Sequence, residues 1–184
     1  MDIMTFANNV KTAALVVILV AFSTFFAMAL AQESTPTPSF SPIDYTLPYP
    51  GILPDHPLFF IKNLRDKMLL LLISDPVRKV EFRQLLADKY TAMGVILSQN
   101  NKTVLAISAF EKGLMYLNET RKYVLELPAS DADKIGNVKN KFKDSLLKHE
   151  QVIVEVLSHF SGDEKIQVEK VLESTKALQQ EFSS

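Results

Sequence analysis

The sequence predicts an all-α fold, an elongated antiparallel up-and-down helical bundle of about five helices. Three observations carry that expectation. Beyond Pro57, apolar residues recur at spacings of three and four. Seven of the nine prolines lie between Pro36 and Pro57, and the other two, Pro76 and Pro128, fall where a helix can begin. Proline is tolerated there because its missing N–H would be unpaired in a first turn anyway. The breaks between the periodic stretches are short, and short connections between long helices favour antiparallel neighbours.

The chain opens on a different pattern. Thr12 to Leu30 is almost unbroken apolar sequence, Lys11 precedes it, and Ala29-Leu30-Ala31 closes it. A charged start, an apolar middle and an A-x-A site at Ala29 and Ala31 describe a signal peptide over residues 1–31. An uncleaved anchor is the competing reading, because a spanning helix needs about 20 apolar residues. Lys11 lies on the N-terminal side, so either outcome exports the rest across the cytoplasmic membrane, to be secreted or held at the envelope. Residues 32–49, QESTPTPSFSPIDYTLPY, are rich in Pro, Ser and Thr without helical period. They read as a disordered linker ahead of a bundle domain over residues 50–184.

Pro50-Gly51 suits the centre of a type II turn, where Gly accepts the positive φ. Ile52 and Leu53 follow as a staple against the first helix, and Asp55 is placed to cap it ahead of Pro57. That helix, about 57–73, offers Leu58, Ile61, Leu64, Met68, Leu71 and Leu72 as its buried face, with 68–73 deepest. Lys62, Arg65, Asp66 and Lys67 fall on its polar face, where Lys62 and Asp66 form a weak i,i+4 pair. Ser74-Asp75-Pro76 is a cap followed by proline and opens the second helix, which carries Val77, Val80, Leu85, Leu86, Tyr90, Met93, Ile96 and Leu97 at helical spacing. Asn100-Asn101 breaks it. The third helix carries Val104, Ile107, Phe110, Leu114, Leu117, Val124 and Leu127. The fourth, about 131–160, is the longest, at roughly 45 Å. Its stripe runs through Ile135, Val138, Phe142, Leu146, His149, Ile153, Val156 and Phe160. Gly162 suits a left-handed stop, and Asp163 a cap for the fifth helix, about 164–182. That helix buries Val168, Val171, Leu172, Thr175, Leu178 and Phe182, while Ile166, with Val168, lies off the face set by Leu172 and Leu178 and marks an apolar strip for a partner.

The stretch from Pro50 through Gly51, Leu53, Pro54, Asp55 and Pro57 to Lys62, Arg65 and Asp66 resembles the opening of a bacterial domain family of unknown function. Members of that family carry a P-G-I-L-P-D-x-P-L-Y-x-x-K-x-x-R-[DE] signature, then an apolar helix, then Asp-Pro. Here the apolar run 69–73 and Asp75-Pro76 continue the match, which covers about residues 48–98. Ala87-Asp88-Lys89-Tyr90 departs from the charged repeat of the family's second helix. The resemblance implies an exported or membrane-anchored helical protein, with some relatives fused to membrane regulatory proteins. It implies no reaction, substrate or catalytic residue.

Composition excludes several functions. The net charge is −1, which offers nothing to nucleic acid or to a polybasic membrane contact. The chain has no Cys, which removes thiol catalysis, cysteine zinc sites and disulfide support. The three histidines, His56, His149 and His159, lack the spacing of a metal pair. There is no nucleophile elbow, phosphate-binding glycine loop or dinucleotide fingerprint. The expectation is a non-enzymatic structural or interaction module without cofactor. Its partner would be an envelope protein or a second copy, and membrane contact would run only through the N-terminal segment. The alternative is a ligand-binding sensor built on a buried polar group, with Tyr90, Tyr116 or His149 as suppliers.

Overall fold

The computed structural model describes residues 43–128 and 132–183. Its elements are α1 (Phe59–Leu72), α2 (Pro76–Gln99), α3 (Thr103–Leu125), α4 (Ala132–Val156), a 3₁₀ turn (Leu157–His159) and α5 (Gly162–Ser183). The described residues contain no strand. The all-α bundle and its five helices follow the sequence expectation. The leader through Ala29 and Ala31, and most of the proline-rich segment, lie outside the described residues.

Caps explain most boundaries. Asp75 Oδ1 accepts the backbone N–H of Arg78 at 2.8 Å and Pro76 occupies the first turn of α2, as the sequence predicts. α2 ends at Asn100, and Asn101 takes a left-handed φ of 57° to reverse the chain. Gly162 is left-handed too, with φ of 52°. It opens α5 itself, so Asp163 sits inside the first turn rather than capping it. An acid there still meets the positive end of the helix dipole.

Helices α2–α5 form two antiparallel hairpins, α2–α3 and α4–α5. In the first, Gly94 faces Phe110 and Arg83 faces Glu119. In the second, Phe142 meets Phe182 edge-on at 4.9 Å and Glu150 faces Lys176. The hairpins dock so that α2 runs parallel to α4, and α3 parallel to α5. Gln84 reaches the Lys141 carbonyl and Asp88 reaches Ser145, while Thr103 pairs with Glu164 and Arg121 with Glu181. Consecutive α3 and α4 therefore lie across the bundle's diagonal. The core is filled by Leu86, Met93, Leu97, Phe110, Leu117, Phe142, Leu146 and Ile153, all essentially solvent-free. Val168 belongs to it as well, as its place among the buried residues of the fifth helix predicts, so the apolar strip there keeps Ile166 and loses Val168; Ile166 is exposed.

The segment before α1 wraps this bundle. Tyr45 bonds to Gln84 and Asp88, and Leu47 and Pro48 line a cleft together with Ala92, Val95, Ile96 and Val152 of α2 and α4. The packed part of the chain thus begins before residue 50. Gly51 turns it with φ of 76°. Asp55 then pairs with Lys102 beside the α2–α3 turn, and α1 returns along the α2–α3 hairpin.

Candidate functional site

Two arrangements are candidates: a polar cluster between α2 and α4, and the outward face of α1. The cluster comes from two stripes. Gln84, Asp88 and Thr91 recur at i, i+4 and i+7 on α2; Ser145 and His149 stand at i and i+4 on α4. Parallel packing lays the stripes side by side. Asp88 Oδ1 accepts from Ser145 Oγ at 2.6 Å and from His149 Nε2 at 2.8 Å. Asp88 Oδ2 accepts from the Tyr45 hydroxyl at 2.5 Å. His149 Nδ1 lies 3.0 Å from Thr91 Oγ1. Gln84 Nε2 donates to the Tyr45 oxygen at 3.0 Å and to the Lys141 carbonyl at 3.1 Å, while its Oε1 has no partner. Burial, with the Asp88 charge second, pushes the Tyr45 phenol above its ordinary range.

Asp88, His149 and Thr91 have the connectivity of an acid–base–nucleophile relay. Thr91, the hydroxyl that would have to attack, is closed off from solvent. Asp88, Thr91, Ser145 and His149 are all buried, and a Cβ added at Gly113 would stand 2.6 Å from Thr91 Oγ1. The cluster is therefore a structural link between hairpins, with each donor's proton directed at an acceptor. At its outer edge a cavity of about 180 Å³ is lined by Tyr45, Gln84, Leu85, Asp88 and Lys141.

The face of α1 is the reverse of the sequence expectation. Lys62 and Asp66, assigned to the polar side, are 6 % and 5 % exposed. Leu58, Ile61, Leu64, Met68, Leu71 and Leu72, assigned to the core, are exposed, Leu64 at 57 % and Leu71 at 83 %. The inward charges are satisfied. Lys62 Nζ donates to Asp66 Oδ2 at 3.1 Å, and the Arg65 guanidinium binds Asp66 Oδ1 at 2.7 Å. Lys62 Nζ also stands 5.4 Å from the Phe59 ring centre and 5.3 Å from that of Tyr90. Tyr90 stacks on Tyr116 at 5.6 Å and donates to Asn63 Oδ1 at 2.7 Å. The aromatic platform and hydrogen bonds hold α1 by its charged side. Burial lowers the Lys62 ammonium pKa, against the raising effect of Asp66.

The remaining motif residues scatter. Pro50 is buried and Leu53 packs on the core, while Pro54 is half-buried and Pro57 exposed. Asp55 leaves α1 uncapped, for no side chain bonds its first turn; the Lys102 ammonium takes the carboxylate and lowers its pKa. Asp75 and Pro76 remain a helix start. The structure gathers Lys62, Arg65 and Asp66, and brings none of the others to them. Sequence reading found His149, Tyr90 and Tyr116 as buried polar groups but missed Asp88, the centre of the cluster. The i, i+4, i+7 polar stripe inside an apolar helix was the signal for it.

Among the described residues no group of three His, Asp or Glu is placed to hold a metal ion, and no helix is long and apolar enough to cross a membrane. The sequence matches no protein-family model, and neither curated proteins nor solved structures yield a match.

Proposed function

We propose that this protein is a non-enzymatic helical-bundle interaction module, exported by its N-terminal segment and working at the bacterial envelope. The observation that carries the reading is α1: a helix held on the bundle by its charged side, through Lys62 and Asn63 on Tyr90, with its apolar side turned to solvent. A monomeric fold gains nothing by that orientation, since exposed apolar area is a cost that docking recovers. Export rests on the Lys11 to Ala31 pattern and on the resemblance of the Pro50–Arg65 motif to envelope proteins.

The test is a triple substitution, Leu64→Ser, Met68→Ser and Leu71→Ser. The expected result is an unchanged urea midpoint together with lost binding of an apolar fluorescent dye. A stability loss above about 2 kcal/mol, typical of core truncation, would mean that this face is interior and would end the proposal.

One observation favours a second reading, a ligand sensor: the orphan Gln84 Oε1 beside the cavity at Tyr45. A bound small donor would satisfy that oxygen, as ordered water does in many buried polar sites. A thermal-shift screen with small amines and amides separates the readings, because a hit must disappear in Gln84→Leu.

A further inference from the structure

We infer that the outward face of α1 lies in the interface of an anionic lipid bilayer, an inference that rests on the docking-surface reading above and names its occupant. The angular order of the side chains points there. At about 100° per residue, Phe60, Leu71, Leu64, Met68, Ile61 and Leu72 follow one another over an arc of about 120°. All six are exposed. Lys67 borders the arc on one side and Arg65 on the other, and both are exposed. The only carboxylate of the helix, Asp66, is turned inward and bonded to Lys62 and Arg65. The exposed surface of α1 is thus an apolar strip bordered by Lys67 and Arg65, with Leu69 exposed just beyond Arg65, and no acid. That is the arrangement of a helix lying flat in a membrane interface, its cationic side chains reaching back to the headgroups.

Length agrees. The 14 residues of α1 reach only about 21 Å, short of the roughly 30 Å hydrocarbon core, so the helix lies in the plane rather than across it. Where the apolar run 12–30 is kept as an anchor, at most about 40 Å of extended chain separates Ala31 from Ile43, which keeps the bundle domain within reach of the bilayer. A second copy fits less well. Two α1 faces packed about a two-fold axis would bring basic margins together with no exposed helix acid to pair them, and like-charge contact across an interface is costly.

The absence of Cys allows single labels in the full chain. Spin labels are placed at Leu64→Cys and Leu71→Cys, with Ser108→Cys, exposed on α3, as the control. The protein is reconstituted in phosphatidylcholine vesicles with about one third phosphatidylglycerol, and each label is probed with oxygen and with a water-soluble nickel complex. The expected result is oxygen-rich, nickel-poor labels at 64 and 71 and the opposite at 108. Lys67→Gln, which leaves the Arg65–Asp66 pair intact, should lower the inserted fraction by about fivefold on these vesicles, at about 1 kcal/mol per basic residue. Labels at 64 shielded from both reagents and broadened by a neighbouring chain would overturn the lipid assignment while leaving a docking surface in place. Labels as open to nickel as the control would overturn both.

Discussion

Replacing Asp88 by alanine tests whether the polar cluster holds the two hairpins together. Asp88 accepts three hydrogen bonds, from Tyr45, Ser145 and His149. Tyr45 is only half-buried, so its hydroxyl can turn to water and costs little. Ser145 and His149 are essentially without solvent contact. Ser145 can bond back to a carbonyl of its own helix, which limits its loss to about 1 kcal/mol. His149 Nε2 has no such recourse and costs about 2–3 kcal/mol as an orphan donor. Adding a carboxylate-sized void, the total is about 3–5 kcal/mol. With a urea dependence of about 2 kcal/mol/M, the midpoint moves down by about 2 M. Asp88→Asn keeps an acceptor for Ser145 and His149 and disturbs only Tyr45, for about 1–2 kcal/mol. Urea unfolding followed by far-ultraviolet circular dichroism measures both. An alanine variant within about 1 kcal/mol of the parent, or an asparagine variant equal to alanine, would refute the reasoning.

Three further outcomes follow from the geometry. Asp66→Ala strands Lys62 against α2 and should cost about 3 kcal/mol, whereas Lys62→Met leaves Asp66 bonded to Arg65 and should cost less, about 1 kcal/mol, for the lost hydrogen bond and ring contacts; urea midpoints give the order of the two. Gly94→Ala drives a methyl to within 2.5 Å of the Phe110 ring, so about 1–3 kcal/mol should be lost in thermal unfolding as α2 and α3 are forced apart. Burial raises the phenol pKa values of Tyr45, Tyr90 and Tyr116, so the native state keeps protons that the unfolded chain releases above about pH 10. Their contribution is complete below that pH and declines above it. Lys62, lowered, acts in the opposite sense, its penalty easing as pH rises through its native value towards about 10.4. Three phenols outweigh one ammonium, so stability should decline beyond about pH 10, and Tyr116→Phe should flatten the decline in an alkaline unfolding titration.

Helix boundaries were legible because each is written in local chemistry: Asp75-Pro76, Asn100-Asn101 and Gly162 act on their own few residues. The orientation of α1 was not. Apolar residues cover so much of its circumference that either side could serve as a core face, and the rule that charges point outward chose the wrong one. What decides the matter is the Tyr90–Tyr116 platform, two helices away in sequence, which accepts the Lys62 ammonium. Asp88 was obscured in a similar way. Its role depends on Ser145 and His149, and only the parallel docking of α2 on α4 brings those stripes into register. Lys102 capturing Asp55 is a third case, since a local cap and a distant cation compete for one carboxylate and the cation prevails.

Parallel packing of α2 on α4 has one more consequence. Two antiparallel hairpins with greasy inner sides can stack in either of two mirror-related ways, with α4 or with α5 beside α2, and oily contacts barely distinguish them. Only the observed stacking delivers both an imidazole and a hydroxyl to the acid on α2; the inner side of α5 offers one hydroxyl, that of Thr175, which already bonds the Val171 carbonyl of its own helix. Asp88 therefore favours the observed handedness of α2–α5 over its twin.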